Sequence, residues 1–136
     1  MLHETPHIQA LKLWKNTAFE LIHEGHDLSL RQIAILITVY LDPPPHTVRG
    51  LARQLQVTKP VITRALDSLG KQDLLSRRRD EHDRRNVIIL KTVKGALTVE
   101  KIADTILHNL PPAQQPHPYD EEDILNQANL QESFIF

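Results

Sequence analysis

Two short amphipathic helical patterns, set almost end to end, dominate the middle of this 136-residue chain. After a capping Thr47, the residues Val48, Leu51, Ala52 and Leu55 share one side of a short helix, and Gln56-Val57 makes a turn. Thr58 caps the next helix, with Pro60 in the first turn where its missing N–H does no harm, and Ile62, Ala65, Leu66 and Leu69 face inward. Two such helices joined by about three residues form a helix-turn-helix whose second member is the recognition helix. From Leu74 the period changes. Leu74-Leu75-Ser76-Arg77-Arg78-Arg79 and Val87-Ile88-Ile89-Leu90 favour strands and bracket the charged stretch from Asp80 to Asn86. This is a β-hairpin with a basic tip, the wing of a winged helix.

Helices flank this unit. Thr5-Pro6 opens a first helix to about residue 23, with Ile8, Leu11, Trp14, Ala18 and Leu21 at helical spacing, and Gly25 ends it. Ser29 caps a second, in which Leu30, Ile33, Ala34, Ile37 and Leu41 form one stripe before Asp42-Pro-Pro-Pro45 stops it. Thr92 caps a further helix whose Ala96, Val99, Ala103, Ile106 and Leu110 make a coiled-coil-like seam, with Leu97, Ile102 and Leu107 off it. A helix apolar on more than one side needs extra cover, either a helix of another subunit or the C-terminal tail. Pro111-Pro112 ends it, Pro116 and Pro118 keep the next segment extended, and residues 120–131 read as a weaker helix. Phe134-Ile135-Phe136 either packs on a dimer or hangs free. The 4% aromatic residues and four glycines argue against an all-β sandwich and toward helices, and the expected fold is mainly α with a small β-hairpin. The organisation expected is an N-terminal dimerisation helix (1–28), a winged helix-turn-helix (29–92), a second dimerisation helix (93–110) and a proline-rich linker with a short helix or tail (111–136).

The charge is distributed to match. The chain's net charge is −1, yet residues 47–94 hold 12 Lys or Arg against five Asp or Glu, a local +7, and the remainder is −8. A one-signed block displaces condensed counterions from phosphates and marks a polyanion-binding face; the plainer reading is a solvated charge run. The absence of cysteine excludes disulfides, thiolate metal sites, cysteine nucleophiles and thiol redox sensing. No apolar run approaches 18 residues and no secretion signal opens the chain, so a cytoplasmic protein without a membrane partner is expected. No glycine-rich phosphate loop, nucleophile elbow or paired carboxylates point to an enzyme, and no cofactor is implied.

In a major groove the recognition helix would present Thr58, Lys59, Pro60, Thr63, Arg64 and Asp67. Arg64 suits bidentate contact with a guanine edge, Thr63 a phosphate or base, and Lys59 a phosphate; alternatively Arg64 pairs with Asp67 or Ser68 on the helix surface. Strand alternation sends Arg77 and Arg79 to one face, where they are expected among the DNA-contacting residues, and Arg78 to the other, so some of these arginines must be structural. Arg84 or Arg85 at the tip could enter a minor groove, and Asp83 braces the tip through a neighbouring Arg.

Three stretches, in order and spacing, resemble the MarR family of winged-helix transcriptional regulators. They are Ser29-Leu-Arg-Gln-Ile-Ala-Ile-Leu36, the run from Leu51 to Leu69, and Asp83-Arg84-Arg85 followed by Thr92-Val-Lys-Gly95. The resemblance implies a homodimer on a pseudo-palindromic operator in double-stranded DNA, with Thr58 to Ser68 in the major groove and Arg84 and Arg85 serving the wing. It also implies a small aromatic or anionic effector, for which Trp14, Phe19 and Tyr40 are candidate lining residues if they are not ordinary core. Asp73 stands where the family usually has glycine, Lys91 replaces a common leucine, and the last long helix is cut short at Pro111. A winged-helix module that binds a protein through its basic wing is the alternative function.

Two metal-like patterns remain. His3-Glu4-Thr5-Pro6-His7 matches His-Glu-x-x-His, but Pro6 as first helical residue leaves His3 outside the helix. Glu20, His23, Glu24 and His26, with Asp27, form a nitrogen and oxygen cluster suited to zinc or manganese, which a polar helix terminus explains equally well.

Overall fold

The computed structural model describes residues 4–116. His3, the helix expected over 120–131 and Phe134 to Phe136 lie outside them. The described chain runs α1 (Pro6–His23), α2 (Leu30–Leu41), β1 (His46–Thr47), α3 (Val48–Leu55), α4 (Lys59–Lys71), β2 (Leu75–Arg79), β3 (Val87–Lys91), α5 (Val93–Asn109) and a 3-10 turn at Pro112–Gln114. It divides into two compact units, one of residues 28–99 and one holding residues 4–27 and 100–116.

Within residues 28–99, local chemistry sets the element ends. Ser29 and Gln32 make a reciprocal capping box on α2. The Thr47 hydroxyl accepts from Gly50 N at 2.9 Å at the head of α3, and Gln56 in a left-handed conformation (φ 56°) closes that helix. Thr58 occupies the N-cap position of α4, but its hydroxyl makes no capping bond. Asp73 takes φ 58°, a conformation Asp tolerates, and turns the chain from α4 toward β2.

The sheet is antiparallel with order β1-β3-β2, Arg77 opposite Ile89 and His46 opposite Ile89 on the other edge. The two-residue β1 is too short to leave a periodic trace in the sequence. Ile62, Ala65, Leu66 and Leu69 of α4 are buried as expected, with Leu51, Ala52, Leu74, Leu75 and Ile89.

The buried face of α2 differs from the expected stripe. Ile35, Leu36, Val39 and Tyr40 are buried, whereas Leu30 and Leu41 are exposed. From Ile33 to Leu41 all but Thr38 are apolar, so periodicity selects no face and tertiary packing decides. Tyr40 is core rather than a pocket wall: its hydroxyl lies 2.8 Å from Thr92 O and accepts from Thr92 N at 3.1 Å. The Thr92 hydroxyl in turn donates to Asp73 O at 2.6 Å and accepts from Gly95 N at 2.9 Å. Gly95 is required here, because a Cβ would lie 2.1 Å from both Leu74 O and the Tyr40 hydroxyl. Lys91 sits with its ammonium 5.6 Å from the Tyr40 ring centroid.

In the unit of residues 4–27 and 100–116, Thr17, Leu21, Ile102 and Thr105 are buried. An ion pair joins Lys101 to Glu24 at 3.2 Å, and the His108 imidazole lies 3.8 Å from the Glu20 carboxylate. Of the apolar pattern expected on α1, only Leu21 is buried; Ile8, Leu11, Trp14, Phe19 and Ile22 are exposed along one side. Trp14 and Phe19 are therefore not ordinary core in this chain. No helix among the described residues is long and apolar enough to cross a membrane.

Candidate nucleic-acid interface

The outward side of α4 carries the side chains that a groove-reading helix needs. Thr58, Lys59, Pro60, Thr63 and Arg64 are all exposed, and Ser68 is half-buried with its hydroxyl 3.4 Å from the Gln72 amide nitrogen. Their exposure follows from the inward placement of Ile62, Ala65, Leu66 and Leu69, since positions one or two residues away on a helix point elsewhere. Lys59 and Arg64 have no carboxylate partner among the described residues. Asp67, the expected alternative partner of Arg64, is instead held by Arg77 of β2 at 2.7 Å.

The wing arginines divide by role. Arg77 is tied to α4, and the Arg79 guanidinium donates to Arg84 O at 2.9 Å, bracing the loop at the hairpin tip. Both face the same side, as strand alternation requires. At the tip, Asp80 accepts from His82 N at 2.9 Å and Asp83 accepts from Arg85 N and Nε, each at 3.1 Å. The Arg85 hydrogen bonds, with a smaller contribution from the positive charge of Arg49, hold the Asp83 carboxyl below the usual carboxylate range. This is the brace expected of Asp83. The Arg85 side chain stays 83% exposed even so, and Arg84 is exposed with its guanidinium unpaired among the described residues.

Sequence reasoning overlooked Arg49 on α3 and Arg31 on α2. Arg49 lies near enough to the tip to influence Asp83, and Arg31 shares a notch with Arg64. The first lay inside the basic segment without a motif to single it out; the second lay outside that segment.

The candidate metal cluster is not assembled. Glu20 and Glu24 turn to His108 and Lys101, and among the described residues no three His, Asp or Glu side chains converge, so Glu20, His23, Glu24 and His26 form a polar helix end. For His-Glu-x-x-His, α1 begins at Pro6 with the Thr5 hydroxyl accepting from Ile8 N at 3.3 Å, which leaves Glu4 outside the helix.

Residues 28–87 match the sequence model of the MarR family. An organic hydroperoxide resistance transcriptional regulator of Bacillus subtilis (strain 168) is 38% identical over 58 residues, which span 43% of this chain and 40% of that regulator. Among solved structures, an S. aureus MepR variant bound to an oligodeoxyribonucleotide superposes with TM-score 0.68 at 24% identity, covering 93% of this chain and 90% of that one. Reduced AbfR bound to DNA, a Staphylococcus epidermidis protein, gives 0.63 at 23% identity over 90% and 83% of the two chains. At these identities the structural likeness establishes the fold alone, and the sequence match is confined to residues 28–87. The chain has a winged helix-turn-helix fold, and its residues 28–87 are similar to the MarR family.

Proposed function

We propose that this chain is a sequence-specific regulator of transcription that binds double-stranded DNA, placing α4 in the major groove and the wing tip along the minor groove or backbone. One observation carries the reading. The +7 segment coincides with the helix-turn-helix and wing, and within it Lys59, Arg64 and Arg84 are exposed and unpaired among the described residues. Unpaired cations on an exposed helix and a hairpin tip are what counterion release from phosphates requires. Arg64 reads a base edge, Thr58, Lys59, Pro60, Thr63 and Ser68 line the contact, and Arg84 and Arg85 serve the wing. Arg77 and Arg79 act mainly by fixing the wing, since each already has an internal partner.

A homodimer on a pseudo-palindromic site fits the exposed apolar side of α1, where Leu11 is 68% and Trp14 57% exposed. A light-scattering mass of twice the 15.6 kDa chain is expected. The B. subtilis relative is named for hydroperoxide resistance, but a chain without cysteine has no thiol with which to sense a peroxide. Any effector acts by binding.

Selection of bound sites from a random duplex library tests the reading. Recovery of one pseudo-palindromic sequence is expected. Recovery of unrelated sequences, with capture of a protein through the wing, would instead establish an interaction module.

A further inference from the structure

Beyond α4 and the wing, we propose that Arg31 of α2 is a third point of attachment, binding a backbone phosphate beside the base that Arg64 reads. The inference rests on the DNA-binding reading and adds to it an element outside the helix-turn-helix.

The geometry is a notch lined by Ser29, Arg31 and Gln32 from the start of α2 and by Val61, Arg64 and Ala65 from α4. Its polar groups are not equally available. Ser29 and Gln32 are committed to each other, Gln32 N donating to the Ser29 hydroxyl at 3.1 Å and Ser29 N to the Gln32 amide oxygen at 2.8 Å. Val61 and Ala65 contribute apolar surface. What remains are two guanidinium groups from different helices, both exposed, neither with a carboxylate partner among the described residues. Asp67, one turn from Arg64, is already held by Arg77.

Two like charges at the mouth of one notch repel each other, and an anion between or beside them relieves that repulsion. A phosphodiester suits the site because guanidinium binds phosphate oxygens with two parallel N–H donors. Duplex DNA lying along α4 brings such groups to the notch without any further ligand. Arg31 thus sets register, while Arg64 carries sequence information.

The test compares wild type, Arg31→Ala and Arg31→Lys on the selected duplex and a scrambled one between roughly 50 and 200 mM salt. Loss of one phosphate contact reduces the salt slope by about one, so over that range wild type should lose about 3.5-fold more affinity than Arg31→Ala. Both duplexes should weaken by the same factor, and Arg31→Lys should keep the wild-type slope. Arg31 is exposed, so an unchanged melting temperature is expected for both variants. An Arg31→Ala slope and affinity equal to wild type would overturn the proposal, as would a loss confined to the selected duplex. A wild-type protein with no salt slope would overturn the DNA-binding reading itself, a different result.

Discussion

Arg77 of β2 reaches Asp67 on the outward side of α4, Nη2 to Oδ1 at 2.7 Å, and so ties the wing to the recognition helix. The pair is partly exposed, 33% and 52%, so its contribution to stability is small and its geometric effect is the larger one. It also keeps Asp67 from neutralising Arg64.

A double-mutant cycle of Asp67→Ala and Arg77→Ala should give a coupling of about 0.2–1 kcal/mol in chemical denaturation, shrinking at high salt. A coupling near zero at low salt would show that the two side chains do not act together.

Gly95 and Gly70 should respond in opposite directions to alanine. At Gly95 the new Cβ meets Leu74 O and the Tyr40 hydroxyl at 2.1 Å, and the forced shift should cost about 1–3 kcal/mol or more. At Gly70, near the end of α4, the nearest heavy atom is 3.9 Å away, and Gly70→Ala should stabilise by roughly 0.5–1 kcal/mol. Equal melting temperatures for the two variants would contradict the packing at the Tyr40 junction.

Asp83 should titrate below an ordinary aspartate, whose midpoint is roughly 3.9. Its depressed value means that the brace at the wing tip is fully present above the unfolded-state value and is lost only as the pH falls through the lower, folded one. Following the carboxyl carbon by NMR checks this, and Arg85→Ala should return the midpoint toward the ordinary value. A wild-type midpoint at or above that value would refute the Asp83–Arg85 brace.

Arg64→Ala and Arg84→Ala should differ in kind. Removing a base reader should flatten the sequence preference at one position of the site, by about 1–3 kcal/mol, whereas removing a wing-tip contact should weaken every duplex alike. Uniform weakening by both variants would move base reading to another side chain.

What could be read from sequence depended on how locally each feature is determined. Helix ends were legible because Thr5, Ser29 and Thr47 satisfy backbone N–H groups in their own first turn. The face of α4 was legible because Ile62, Ala65, Leu66 and Leu69 are separated by polar residues. The face of α2 was not, since a nearly unbroken apolar run satisfies any orientation and only the packed core selects Ile35, Leu36, Val39 and Tyr40. On α1, periodicity identified an apolar side without revealing that Leu11 and Trp14 would stay exposed. The partners of Arg77 and Arg79 depend on hairpin register and on how β2 lies beside α4, neither of which spacing encodes. Arg31 lies far from Arg64 in sequence and meets it only through the fold.

The most direct measurement is the duplex affinity of the wild-type chain across salt, on a selected pseudo-palindrome and a scrambled control. A basic helix and wing engaging several phosphates should give a steep negative dependence of log affinity on log salt for both duplexes. The selected site should bind on the order of 10³-fold tighter or more. A flat salt dependence with equal affinities for the two duplexes would contradict DNA recognition by this chain.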